Sequence, residues 1–134
     1  MHIAGTNVIF TMQPTTISTP VIEDNRNLSW VGDGEEVLQA GDAWETGGGV
    51  TIRNQARFNM LGGSIISHTI YFQGAGVLVN QGHFYMRGGT IDDNTSSGNS
   101  GGGVAVWGNN ALFDLYDGYI QNNHALGAGY GGVQ

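Results

Sequence analysis

Apolar and polar residues alternate along the chain in a phrase of three short segments that recurs. The first clear copy is Gly47-Gly48-Gly49-Val50-Thr51-Ile52, Phe58-Asn59-Met60 and Gly62-Gly63-Ser64-Ile65. The phrase returns over residues 74–91 and 101–120, and another copy opens at Gly131-Gly132-Val133. Within each segment the apolar residues are two apart, which is the period of a strand with one buried face. Glycine and asparagine separate the segments, so the pattern predicts three short strands per copy joined by turns.

The copies follow one another at a nearly constant interval. Val50, Val77 and Val104 are each 27 residues apart, and the step to Val133 is 29 residues. Self-similarity at such a period is typical of solenoids, in which each repeat buries its apolar face against its neighbours. An antiparallel sandwich also has short alternating strands, but it does not repeat a whole three-segment phrase in register. We therefore predict an all-β parallel solenoid of about four rungs.

Stacking the copies predicts columns of like residues along the axis. Neighbouring strands lie about 4.8 Å apart, so equivalent side chains of successive rungs would touch. The predicted columns are Val50, Val77, Val104, Val133; Ile3, Ile52, Val79, Val106; Phe10, Phe58, Phe84, Phe113; Met12, Met60, Met86, Leu115; and Ile17, Ile65, Ile91, Ile120.

The columns include a hidden copy near the start, because Phe10, Met12 and Ile17 have the same spacing as Phe58, Met60 and Ile65. This alignment predicts a single domain over residues 1–134. Its parts are a partial first rung over 1–18, an acidic insertion or cap over 19–46, and three full rungs with the start of a fourth over 47–134.

A polar turn follows the last apolar residue of each copy. Asn94 and Asn123 align in this turn, and asparagine bonds neighbouring backbone groups while tolerating left-handed dihedrals. The alignment predicts an asparagine ladder. His68 occupies the same place one copy earlier, and we interpret it as a hydrogen-bonded substitute rather than a ligand or general base.

Charge restricts the partners. The chain has 11 acidic side chains, four arginines and no lysine, with a net charge of −7. This balance disfavours nucleic acid, whose phosphates are bound by basic side chains. No apolar run approaches the roughly 20 residues of a membrane span, so membrane insertion is not predicted. Cysteine is absent, which excludes disulfides and thiolate chemistry.

The phrase Gly-Gly-Gly-Val, Phe-x-Met and Gly-Gly-x-Ile-x-x-Asn resembles the right-handed parallel β-helix repeats of bacterial surface proteins. These include adhesin-like proteins and the GGAI/FxxN repeats of chlamydial polymorphic outer membrane proteins. The resemblance covers residues 47–134 well and 3–18 faintly. It implies a right-handed β-helix, an extracellular or bacterial cell-surface location, and a non-enzymatic structural or adhesion role without a cofactor.

An enzyme is the alternative function, since pectate lyases and polygalacturonases share the β-helix fold and act on acidic polysaccharides. The candidate catalytic carboxylates are Asp92, Asp93, Asp114 and Asp117. Glycosidic hydrolysis needs two carboxylates placed across one bond. Adjacent strand residues point to opposite faces, so Asp92 and Asp93 converge only where the turn bends. A solvated turn is the favoured interpretation.

The acidic insertion offers an alternative Ca²⁺ site, because carboxylate oxygens are the preferred ligands of this ion. Its candidate ligands are Asp24, Asp33, Glu35, Glu36 and Asp42. Their spacing matches neither an EF-hand nor the nonapeptide repeats of calcium-binding toxins. A solvated flap or cap is the favoured interpretation.

Aromatic residues are the candidate binding groups, since a tyrosine on a rigid face can stack on a sugar or receive a protein partner. Tyr85, Tyr116 and Tyr119 are predicted to face solvent, as are Leu78 and Leu112. Trp30 and Trp44 lie in the insertion. Plain solvent exposure is an equally weighted interpretation of the outward residues, since scattered exposed apolar groups are normal. On the binding interpretation the ligand is a host or cell-wall glycan or protein.

The ends of the repeat suggest a further partner. A rung that lacks a neighbour presents an unpaired strand edge, which soluble proteins normally cover. We expect other copies of the chain, or flanking repeats, to stack end to end on these edges, and successive copies would form a filament.

Overall fold

The structure, a computed structural model, describes residues 1–15, 18–23, 26–27, 47–98, 101–127 and 131–133. The described part is all-β and contains no helix. Its strands are β1 (His2–Ala4), β2 (Ile9–Met12), β3 (Val21–Glu23), β4 (Arg26–Asn27), β5 (Val50–Arg53), β6 (Arg57–Met60), β7 (Ser64–Ile66), β8 (Thr69–Ile70), β9 (Val77–Asn80), β10 (His83–Asp92), β11 (Thr95–Ser96), β12 (Val104–Trp107), β13 (Leu112–Gln121) and β14 (His124–Ala125).

These strands form three sheets, and each strand pairs in parallel with the equivalent strand of the next repeat. Sheet 1 has the order β1-β5-β9-β12 and sheet 3 has the order β14-β11-β8-β4. In sheet 2, β10 pairs on one side with β6 and β7 and on the other with β13, while β2 and β3 continue the sheet beyond β6 and β7. The predicted parallel pairing of successive repeats is confirmed. We number the repeats 1 (residues 2–27), 2 (50–70), 3 (77–96) and 4 (104–125).

The core consists of apolar columns that run from repeat to repeat. Val50 pairs with Val77, Ile52 with Val79, and Phe58 with Phe84, and all of these side chains are buried. The ring of Phe84 lies 5.1 Å from that of Phe58 and 4.9 Å from that of Phe113, stacked in both cases. The predicted columns are confirmed except at one position.

The exception is Ile17, which was predicted to align with Ile65. Ile22 of β3 pairs with Ile65 instead, and Ile17 lies outside the described residues. Eight residues, 13–20, join β2 to β3, whereas only three, 61–63, join β6 to β7. The alignment by equal spacing was wrong here because repeat 1 carries a longer connection that contains Pro14 and Pro20. Repeat 1 therefore continues to Asn27 and contributes a strand to every sheet, so the boundary at residue 18 is also wrong.

In repeats 2, 3 and 4, a glycine with positive φ bends the chain between the two halves of sheet 2. Gly63, Gly89 and Gly118 have φ values of 94°, 93° and 112°. A Cβ at Gly89 would lie 2.7 Å from the terminal methyl of Met60 in the previous repeat. Only glycine adopts a positive φ at low cost and also leaves out the Cβ for which there is no room. This explains why the pair Asp117-Gly118 keeps the second glycine and varies the first.

The polar turn between sheets 2 and 3 forms the predicted ladder. Nδ2 of Asn94 donates to the carbonyl of Ile65 at 3.1 Å, and Nδ2 of Asn123 donates to the carbonyl of Ile91 at 2.9 Å. His68 lies 3.0 Å through Nε2 from the carbonyl of Ile22. The buried imidazole thus makes the same contact to the preceding repeat as the two asparagines, and its interpretation as a ladder substitute is confirmed.

The glycine run that precedes sheet 1 packs against the ladder residue that follows sheet 2 in repeats 2, 3 and 4. A Cβ at Gly49 would lie 2.6 Å from the His68 ring, and one at Gly76 would lie 3.1 Å from Nδ2 of Asn94. Gly103 has the same relation to Asn123, at 2.9 Å. The absence of a side chain at Gly49, Gly76 and Gly103 is what allows this approach.

Leu78 was predicted to face solvent, and this prediction is wrong. It pairs with Thr51 and Ala105, away from the core columns, yet its side chain is fully buried. A Cβ at Gly47 or Gly74 would lie 2.9 Å from its Cβ, so the glycine runs fold over the outer side of sheet 1.

Candidate functional site

The four candidate catalytic carboxylates each have a separate partner. Asp92 accepts hydrogen bonds from Gln121 (3.1 Å) and Asn122 (2.9 Å) of repeat 4. Asp93 accepts from the hydroxyl of Ser67 in repeat 2 at 3.3 Å. The two adjacent aspartates therefore bond in opposite directions along the stack, Asp92 toward repeat 4 and Asp93 toward repeat 2.

The geometry of the turn explains this divergence. Asp93 has a φ of 53°, and Ser67 and Asn122 at the equivalent positions have values of 58° and 51°. The left-handed residue bends the chain before each ladder residue, as short polar side chains permit. The bend that would bring Asp92 and Asp93 together is present, but it directs their carboxylates to different repeats.

The other two carboxylates are also engaged. Asp114 accepts a hydrogen bond from Nη2 of Arg87 at 2.8 Å. Asp117 accepts from the backbone N–H of Gly118 at 2.8 Å and so caps its own turn. Within the described ranges, no group of three or more His, Cys, Asp or Glu side chains is placed to hold a metal ion.

Hydrogen bonds lower two carboxyl pKa values. The side chains of Gln121 and Asn122 hold the pKa of Asp92 below its ordinary value of 3.8, and the guanidinium of Arg87 does the same for Asp114. Both aspartates are therefore ionised at neutral pH. A general acid needs the opposite shift, toward the working pH.

The candidate aromatic residues divide into three groups. Tyr116 and Tyr119 have 81% and 68% of their surface exposed, as predicted, and Tyr85 is half-buried. Trp30 and Trp44 lie outside the described residues, and so do the candidate calcium ligands Asp24, Asp33, Glu35, Glu36 and Asp42.

The outer face of sheet 2 brings Tyr85 together with two arginines that the sequence analysis did not single out. Arg57 is the first residue of β6, and its guanidinium carbon lies 4.9 Å from the centroid of the Tyr85 ring. Arg87 lies 5.6 Å from the same ring and 5.4 Å from the ring of Tyr116. Two of the four cations of an acidic chain therefore meet at one aromatic side chain.

Alternation along the strands produces this cluster. Phe58 and Met60 point into the core, so Arg57 and Asn59 point outward, and on β10 Phe84 and Met86 leave Tyr85 and Arg87 outside. Asn59 pairs with Tyr85, which puts Arg57 and Arg87 on either side of that pair. Alternation in the sequence indicates that both arginines point outward, but it does not show that they meet at Tyr85.

A groove of about 450 Å³ opens at this cluster. Its lining residues are Thr11, Arg57, Asn59, Leu61, Tyr85 and Arg87. Arg87 is fixed by Asp114, whereas Arg57 is exposed and has no carboxylate partner among the residues that the structure describes. We call this surface the Arg57–Tyr85 groove. It combines one available cation, amide and hydroxyl groups, and an aromatic and aliphatic surface.

Comparisons with family models, with curated proteins and with solved structures gave no match. A search of the described residues for helices long and apolar enough to cross a membrane found none.

Proposed function

We propose that this chain is a non-enzymatic module of an extracellular or cell-surface protein, folded as a right-handed parallel β-helix that displays a stiff ligand-binding face. The observation that carries the proposal is the continuous stacking of equivalent residues through three parallel sheets. The columns, the ladder and the glycine runs are all scaffold features, and they supply rigidity rather than reactive groups.

Closure of the chain into a helix is supported by contacts inside each repeat. The glycine run precedes sheet 1 and the ladder residue follows sheet 2, and these two segments meet in repeats 2, 3 and 4. A chain that leaves a point and returns beside it after crossing sheets 1 and 2 completes one turn of a coil.

The non-enzymatic role is supported by the partners of the four aspartates, each of which is held by a different contact. To test it, the protein would be incubated with pectic and other acidic polysaccharides and the release of reducing ends measured. We expect none. Release that disappears in both Asp92→Asn and Asp114→Asn would establish the carbohydrate-active alternative instead.

Association through open strand edges is the second part of the proposal. In the Met12 column, Met60 and Met86 are fully buried, whereas Leu115 in repeat 4 has 48% of its surface exposed. Another layer of similar strands, from a flanking repeat or a second copy of the chain, would bury this side chain and pair β13. A parallel strand edge with apolar neighbours is a ready template for such pairing.

Size-exclusion chromatography with light scattering, followed by electron microscopy, tests self-association. We expect elongated assemblies that grow with concentration, and we expect Leu115→Arg to abolish them while leaving the unfolding curve close to that of the wild type. A monodisperse monomer at all concentrations would count against stacking of identical copies.

A further inference from the structure

We propose that the Arg57–Tyr85 groove binds an anionic oligosaccharide, with Arg57 contacting a sugar carboxylate or sulfate and with Tyr85 and Leu61 packing against the sugar ring. This inference rests on the proposed display function and names its ligand class. The groove lies on one face of sheet 2 and crosses β2, β6 and β10, a span of about 10 Å at ordinary strand spacing.

Arg57 is the residue that selects for negative charge. It is exposed and lacks a carboxylate partner among the described residues, so its fork of N–H donors can take both oxygens of an incoming acid group. Such a cation stands out in a chain with a net charge of −7.

Arg87 is a positioning residue. Asp114 holds its Nη2 at 2.8 Å, and its guanidinium lies over both Tyr85 and Tyr116. The Arg87–Asp114 ion pair supports the Tyr85 ring from the side of repeat 4, while Arg57 contacts that ring from repeat 2. The ring therefore keeps its orientation before a ligand arrives, and less freedom is lost on binding.

The remaining lining residues suit a sugar. Asn59 and Thr11 offer an amide and a hydroxyl, which match the donors and acceptors of sugar hydroxyl groups. Leu61, 45% exposed, and Tyr85 supply apolar surface for the C–H face of a pyranose. This combination of a few polar groups with an aromatic surface is typical of small-ligand sites.

Two other anionic polymers fit less well. A peptide that adds to a sheet needs an open strand edge, but the groove lies on the face of sheet 2 between strands that are already paired. Nucleic acid needs several phosphate contacts, and this surface has one available cation in an acidic protein.

Isothermal titration of the full chain with trigalacturonate tests the proposal, and a chondroitin sulfate oligosaccharide tests whether a sulfated sugar serves as well. The methyl ester of trigalacturonate is the uncharged control, and poly-glutamate is the control for a peptide. We expect saturable binding of at least one acidic sugar and no binding of the ester or of poly-glutamate.

The variants distinguish binding at a specific site from a general effect of positive charge on the protein. Arg57→Gln should weaken binding about tenfold to a hundredfold, as the loss of a charge-assisted contact does, and Arg57→Lys should weaken it less. Arg53→Gln removes the same charge from sheet 1 and should bind like the wild type. Tyr85→Leu should also weaken binding, and circular dichroism would confirm that each variant folds.

The inference would be overturned if neither acidic sugar bound, if poly-glutamate bound as tightly as the sugars, or if Arg53→Gln weakened binding as much as Arg57→Gln. These outcomes are distinct from failure of the display function, because polysaccharide cleavage and self-association are measured on the same protein without reference to Arg57.

Discussion

Truncation of the central phenylalanine tests whether the core is a stack of rungs. Phe84 is fully buried and its ring stacks on Phe58 at 5.1 Å and on Phe113 at 4.9 Å. Phe10 belongs to the same column, but 38% of its surface is exposed and its ring meets only Phe58 in that column, tilted by 41°. The pair Phe84→Ala and Phe10→Ala therefore makes one chemical change at a middle and at an outer position.

The structure gives different magnitudes for the two changes. Removal of a fully buried phenylalanine leaves a cavity and costs about 3–5 kcal/mol. Loss of the two stacked ring contacts of Phe84 adds about 0.5–1.5 kcal/mol each to this cost. Phe10 is only partly buried and its site opens to solvent, so its truncation loses about 1–2 kcal/mol of transfer free energy.

Urea unfolding followed by circular dichroism measures both free energies. We expect Phe84→Ala to lower the free energy of unfolding by at least about 2 kcal/mol more than Phe10→Ala does, a large share of the 5–15 kcal/mol typical of a domain. Equal losses, or a larger loss for Phe10→Ala, would refute the stacked core.

Two further predictions concern the ladder and the carboxylates. Asn94→Ala removes three side-chain hydrogen bonds, to His68, Ile65 and Asn123, of which the first two are buried, and should lower the free energy of unfolding by about 2–4 kcal/mol. Asn109→Ala, at an exposed turn position, is the matched control, and equal urea midpoints would contradict the ladder. The hydrogen bond from Arg87 lowers the folded-state pKa of Asp114, so its stabilising effect is present above the ordinary value of 3.8 and is lost as the pH falls through the lowered value. An NMR titration of the carboxyl carbons should place the pKa of Asp114 below 3.8, and a midpoint at or above that value would show that the pair does not form in solution.

The sequence predicted those parts of the fold that depend on repetition. Equivalent residues such as Phe58 and Phe84 pair because the same spacing recurs, and parallel stacking converts equal spacing into contact. Asn94 and Asn123 could be assigned to a ladder for the same reason. These features need only local periodicity, which a single sequence contains.

Prediction failed where the spacing is broken or where a contact joins distant segments. Ile22 takes the place predicted for Ile17 because five additional residues separate β2 from β3, and a short strand after a proline-containing loop has no repeated signature. Leu78 was expected outside and is covered by the glycine runs, a contact between segments that alternation cannot reveal.

The site was predicted in part. The outward tyrosines could be named from alternation, but the meeting of Arg57, Tyr85 and Arg87 depends on which repeats are adjacent and on how long side chains cross between strands. The charge of each arginine was visible in the sequence, whereas the separate partners of Asp92, Asp93 and Asp114 were not.

The central claim of the proposal is that repeats 2, 3 and 4 close on themselves, with the glycine run that precedes each repeat packed against its ladder residue. A Cβ at Gly76 would lie 2.5 Å from the carbonyl oxygen of Gly103, 2.8 Å from Ile91 and 3.1 Å from Asn94. Gly132 occupies the equivalent position one residue before Val133, and a Cβ there would meet nothing within 4 Å. The urea unfolding free energies of Gly76→Ala and Gly132→Ala therefore test closure most directly. Gly76→Ala should be destabilised by about 1–3 kcal/mol through overpacking, and Gly132→Ala should be as stable as the wild type or slightly more so. Equal stability of the two variants would contradict the closed repeat.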